Sequence, residues 1–225
     1  GSMQLIYRPD GSRNYLTDST NESFLNYKGR IGIELRGSSS QALDKKPYGF
    51  TTLLQDGVSN NNVSLLGMPS ENDWVLNSLA YDPSMVRDYL SYTLASNMGN
   101  YAPRVQYIEV IVNGDYKGVY FLTEKVKRDS DRVNLKKIAD DDNDFPDITG
   151  GYIIKADKTT GGDEIAWTMP NYGGWDTNFL HHYPKTEDIT SAQANYIETI
   201  FYDLADQTNP ANTSIIDGYP SIIDI

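Results

Sequence analysis

Apolar and polar positions alternate in "NYKGRIGIELRG", with Ile31, Ile33 and Leu35 two apart. A period of two puts these side chains on one face and predicts a β-strand. "YGFTTLLQ" continues the pattern through Tyr48, Phe50, Thr52 and Leu54 and predicts a second strand. The two pair as a long hairpin or lie as neighbours joined by residues 38–46. After a polar, turn-rich stretch the period changes. Asp82 stands as an N-cap and Pro83 as a first helical residue. Met85, Tyr89, Tyr92, Leu94 and Met98 follow at helical spacing, and Gly99 is a natural stop. This predicts a helix over 83–98.

Alternation returns in "RVQYIEVIVNGDYKGVYFLTEKV", where Asn113-Gly114 is a two-residue hairpin signal. The second arm is expected over 116–126. "RDSDRVNL" then reads as a turn, "KIADDDNDFPDITG" as a flexible acidic loop and "GGYIIKADK" as a short strand. Residues 160–186, rich in Gly, Asn and Tyr, read as a long irregular excursion. "SAQANYIETIFYDLAD" predicts a second helix over 191–206, with Ala194, Ile197, Ile200, Phe201 and Leu204 on one face. The closing "SIIDI" reads as the first turn of a further helix. With no internal repeat and no linker, the pattern predicts one α+β domain over 1–225, an antiparallel-rich sheet with packed helices.

Composition sharpens this in three ways. Hydrophobic residues are 39% of the 225 and charged residues 22%, enough apolar area for a true core. The net charge of −12 argues against general nucleic-acid or anionic-membrane binding. The chain has no cysteine, which excludes disulfides and thiolate chemistry, and no run approaches the roughly 20 apolar residues of a membrane helix. The opening Gly-Ser-Met reads as a cloning remnant, beside which a removed signal peptide would leave no trace.

Candidate chemistry concentrates in "LRGSSSQALDKKPYGF". Successive amides and hydroxyls in a Gly/Ser turn can cradle an anion, and a following lysine can reach a phosphate. The nucleotide-loop pattern G-x-x-x-x-G-K-[ST] is absent. By spacing alone the stretch is an ordinary solvated turn, with Arg36 and Lys46 as surface charges. Glu124 reads as an edge charge, or as the partner of a lysine or a metal. "ADDDNDFPD" lacks the glycine of a calcium loop. His181 and His182, adjacent on an extended segment, point to opposite faces and do not chelate together. Trp167, Tyr172, Trp175 and Tyr183 suit either a stacking surface or the core of a Gly-rich loop.

In order, these stretches resemble the CotH kinase family. Arg-Gly-Ser is followed by Lys-Lys-Pro-Tyr, then Asp-Pro-Ser-Met with Arg87, then Asn-Gly-x-Tyr-x-Gly-Val-Tyr with Glu124. The core match covers about 31–135. The resemblance implies the amino-terminal lobe and hinge region of an atypical protein kinase, which transfers phosphate from ATP, with Mg or Mn, to Ser or Thr of a protein substrate. It also implies an exported bacterial protein, at the cell surface or outside it. On that reading Arg36, Ser38 and Ser39, with Lys45 or Lys46, face the nucleotide. Lys46 is preferred because it shares an extended face with Tyr48 and Phe50. Glu124 or Asp88 is the lysine's partner. The family's metal-binding Trp-Asp-x-Asp motif is not matched, since Trp175-Asp176 is followed by Thr177-Asn178, and no Asn-x-Asp precedes it in the context of the family's catalytic motif. The chain is therefore expected to be an amino-terminal portion, inactive alone. The alternative is a non-catalytic surface module that binds glycan or a partner protein through its aromatic loop.

Overall fold

A computed structural model of the chain describes residues 1–170 and 175–208. It divides into two compact units, Gly1–Val126 and Lys127–Ile225.

The first unit is built on six antiparallel strands: β1 (Ser2–Ile6), β2 (Leu25–Leu35), β3 (Tyr48–Leu53), β4 (Asp73–Asn77), β5 (Val105–Val112) and β6 (Asp115–Glu124), in the order β1-β2-β3-β4-β6-β5. The expected β2–β3 pair is present, with Ile33 opposite Phe50 and Leu35 opposite Tyr48. The β5–β6 hairpin turns on Asn113 and Gly114, both at positive φ, which a two-residue turn of this hand requires. β1 and β4 are additions to the sequence reading. The opening residues are ordered in β1, where Ser2 pairs with Arg30 and Met3 with Gly29.

β4 is central and hides its pattern for that reason. Trp74, Val75 and Leu76 are all buried, so the strand is a continuous apolar run without alternation. Trp74 and Leu76 join Tyr27, Ile31, Phe50, Val110, Tyr120 and Leu122 on one face, closed by Leu65 and Met68 from the β3–β4 connection. On the other face Asn77 stands opposite Phe121, and Tyr107 packs its ring 4.4 Å from that of Phe121.

Helix α1 (Arg87–Asn97) lies toward that second face, with Tyr89 5.8 Å from Tyr107. It is shorter than the 83–98 expected. Asp82 accepts from the amides of Ser84, Val86 and Arg87, and Met85 has φ +58, so Pro83–Val86 forms a polar turn instead of a first helical turn. The expected apolar face holds only in part: Met85 and Tyr92 are half-buried, but Tyr89, Leu94 and Met98 are exposed. Asp88 and Ala95 are half-buried as well, whereas Leu90 is exposed.

In the second unit, β7 (Ile153–Ala156), β8 (Trp167–Met169) and β9 (Thr177–Tyr183) form an antiparallel sheet in the order β7-β9-β8. The excursion over 160–186 thus carries two strands. Helix α2 (Ser191–Gln207) matches its prediction to within a residue. Thr190 and Gln193 make a capping box at its start. Ile197, Phe201 and Ala205 pack on Trp167, Met169 and Phe179. The acidic loop is held to this helix and is not a free tether. Gln193, almost fully enclosed, donates to the carbonyls of Ala139 at 2.7 Å and Asp142 at 3.3 Å. Tyr172 and the closing "SIIDI" lie outside the described residues.

Candidate functional site

The strand β2 ends at Leu35, and Arg36-Gly37 turns the chain. Gly37 has φ +88, and a Cβ there would lie 2.0 Å from the Ser40 hydroxyl. Only glycine allows this turn to fold so closely on Ser40. A single 3-10 turn, Ser39–Ala42, follows. Gln41 donates to the Gly37 carbonyl and accepts at its own carbonyl from Lys46 Nζ at 2.6 Å, which closes the loop on itself. The return into β3 is fixed by Arg36 N donating to Pro47 O at 3.1 Å.

Facing this turn is the exit from β4. Asn77 Oδ1 accepts from Leu79 N at 3.0 Å, and Leu79 sits at φ +57. Its Nδ2 donates to Asp88 Oδ2 at 3.0 Å. Together these elements enclose a groove of about 420 Å³, lined by Arg36, Gly37 and Ser40 on one side and by Asn77, Asp82, Arg87 and Asp88 on the other. Two charges in it are already spent on each other: Asp82 pairs with Arg87 at 3.6 Å. The Ser84 hydroxyl and the Arg87 amide hold the Asp82 carboxyl down at about 2. Arg36 has no carboxylate partner among the described residues, so its guanidinium is the groove's uncommitted cation. Burial raises the Tyr92 phenol, the Asp88 charge adds to this, and the Arg36 charge opposes it, so both charges act on one ring.

The structure brings Arg36 and Asp88 of the expected set into one groove, and Ser38 and Ser39 into the turn that borders it. The two lysines are placed otherwise. Neither lines the groove. β3 begins only at Tyr48, so the extended face assumed for Lys46 does not reach back to it; its ammonium serves the loop through Gln41. Lys45 is the inward one. Its Nζ lies 4.8 Å from the Tyr120 ring centre and donates to Val119 O, and burial lowers its pKa. Glu124 is paired with neither lysine. Its side chain is fully enclosed and accepts from Arg104 Nη1 at 2.8 Å and Arg104 N at 2.9 Å. Asn77, Asp82 and Arg87 were not read as groove residues. The Asp-Pro-Ser-Met-x-Arg run was the available signal, since an Asp that caps a turn also holds the arginine that follows.

For a nucleotide with a divalent metal the fit is partial. Arg36 beside the Gly37–Ser40 turn suits a phosphate. No group of three or more His, Cys, Asp or Glu side chains converges among the described residues, and Asp82 is saturated by its own turn. In the second unit, Trp167 is core, stacked 5.2 Å from Phe179, while Trp175 is exposed. His181 is buried, and neither ring nitrogen has a hydrogen-bond partner.

Among protein families, the one described as CotH kinase protein matches residues 33–225. No curated protein matches the chain.

Proposed function

The chain belongs to the CotH kinase family, and from that membership we propose that its first unit holds the phosphates of ATP for transfer to Ser or Thr of a protein substrate. The observation that carries this reading is the groove between the Gly37–Ser40 turn and the β4–α1 connection, with an uncommitted arginine on its wall. Arg36 presents a planar fork that suits two phosphate oxygens. The turn beside it offers the Ser38, Ser39 and Ser40 hydroxyls. Asn77 and Asp88 fix the opposite wall.

ATP supplies the phosphoryl group, and the family brings a divalent metal to it. The residues of this groove do not make a cage for that metal. Phosphoryl transfer depends on positioned carboxylates and charge. With no Trp-Asp-x-Asp run in these 225 residues, they are expected to bind nucleotide and transfer phosphate poorly. Lys45 and Lys46 act in this reading as staples of the loop, Lys45 on β6 and Lys46 within the turn.

Amide chemical-shift mapping with ADP tests the site. The expected shifts cluster on Arg36, Gly37, Ser40, Asn77 and Asp88. ADP shifts confined to the second unit would contradict a phosphate site in this groove. A change in Trp167 or Trp175 fluorescence on adding glycan, and none on adding ATP, would support the glycan-binding alternative.

A further inference from the structure

We propose that Asn77 is a positioning residue of the groove: its side chain latches the first turn of α1 to the end of β4 and so sets that helix as the groove's far wall. The use of that wall for nucleotide rests on the reading above; the latch itself does not.

Helix α1 has no buried residue, and its most enclosed positions, Asp88, Tyr92 and Ala95, are only half-buried. Apolar burial therefore does little to fix it, and an isolated helix of 11 residues is marginal in water. Its place is decided by tethers. Tyr107 Oη donates to Met85 O at 2.5 Å, just before the helix, and its ring meets Tyr89. Asn77 supplies the tether inside the groove. One amide does two jobs there. Its oxygen stabilises the left-handed Leu79 turn, and its nitrogen catches Asp88. Arg87, the neighbouring groove residue, moves with Asp88. Loss of the Asn77 donor frees the helix start from β4, with Asp82 still holding the Val86 and Arg87 amides from within the same connection, and so loosens the side chains that α1 contributes to the groove.

Hydrogen exchange of the α1 amides and ADP affinity, measured on the same variants, test this. Asn77→Ala is expected to speed exchange over residues 87–97 by about 10-fold, the scale of one carboxylate hydrogen bond, with β3 and β6 unchanged. ADP affinity falls by a similar factor. The Asn77→Ala/Asp88→Ala double variant binds ADP no more weakly than Asp88→Ala alone, because the first residue acts through the second. Asn77→Asp keeps the acceptor for Leu79 N and guards against a simple folding failure. It puts a second carboxylate against Asp88 in place of the donor, so α1 exchange is expected to accelerate as in Asn77→Ala. Unchanged α1 exchange in both variants overturns the latch. Additive losses of affinity overturn its action through Asp88. Wild-type protein that fails to bind ADP, with α1 exchange still accelerated by Asn77→Ala, leaves the latch standing and removes the nucleotide reading.

Discussion

Glu124 ends β6 with its carboxylate enclosed, and Arg104 meets it with both a backbone amide and a guanidinium that is half in solvent. Removing the cation would strand a buried charge. Arg104→Met is expected to lower stability by ~3 kcal/mol in urea unfolding, the usual cost of breaking a buried pair from one side. A loss below ~1 kcal/mol would mean that the remaining amide suffices. His181 is the opposite case, a buried ring with no hydrogen-bond partner whose pKa burial pushes down. The unfolded chain then binds a proton more readily than the folded one. Stability is full above the ordinary histidine pKa of about 6.5 and is lost as pH falls below it toward the depressed folded value. His181→Phe should flatten that part of the stability–pH curve, and an unchanged slope below pH 6.5 would refute the assignment. Such residues are hard to read from sequence. Glu124 looks like an edge charge until Arg104 from β5's approach closes over it. Lys45 and Lys46 are adjacent, yet one lies on Tyr120 and the other on Gln41.

At the scale of elements, alternation found β2, β3 and β5 because one face of each is wetter than the other, and the Asn113-Gly114 turn carried β6, whose residues Tyr120 to Glu124 are buried on both faces. Alternation missed β4, where Trp74, Val75 and Leu76 are enclosed on both faces, and it missed β8 and β9 among glycines and asparagines. Helical spacing found α2 with its capping box. For α1 it found a helix and Tyr92, but it took Leu94 and Met98 as inward where Asp88 leans in on account of Asn77 and the groove. This gives a sharp contrast in stability. Leu94→Ser on the exposed stripe should change the unfolding free energy by less than ~0.5 kcal/mol. Leu122→Ala in the sheet core should cost ~3 kcal/mol. Equal effects would show that the α1 stripe is covered. Gly37 belongs to this scale too. Gly37→Ala puts a Cβ against Ser40 at positive φ, so it should distort the turn and weaken ADP binding while leaving the sheet intact.

Across the whole molecule, the order of motifs along the chain carried the family, and the physics of single motifs did not. Each of "LRGSSS", "KKPY" and "DPSMVRDY" reads as ordinary surface when alone. The fold makes them informative by bringing the first and third to one groove, with the paired lysines clamping the loop between. The net charge of −12 would repel an anionic nucleotide at long range, so binding depends on a local cation. Arg36 is the groove's candidate. Calorimetric titration of ADP into the wild-type chain, Arg36→Gln and Arg13→Gln measures this directly. The expected result is saturable one-site binding, weakened about 10-fold or more by Arg36→Gln, the scale of a charge-assisted phosphate contact, and unaffected by Arg13→Gln. Equal affinity in all three proteins, or no saturable binding by the wild type, would contradict a phosphate site at Arg36.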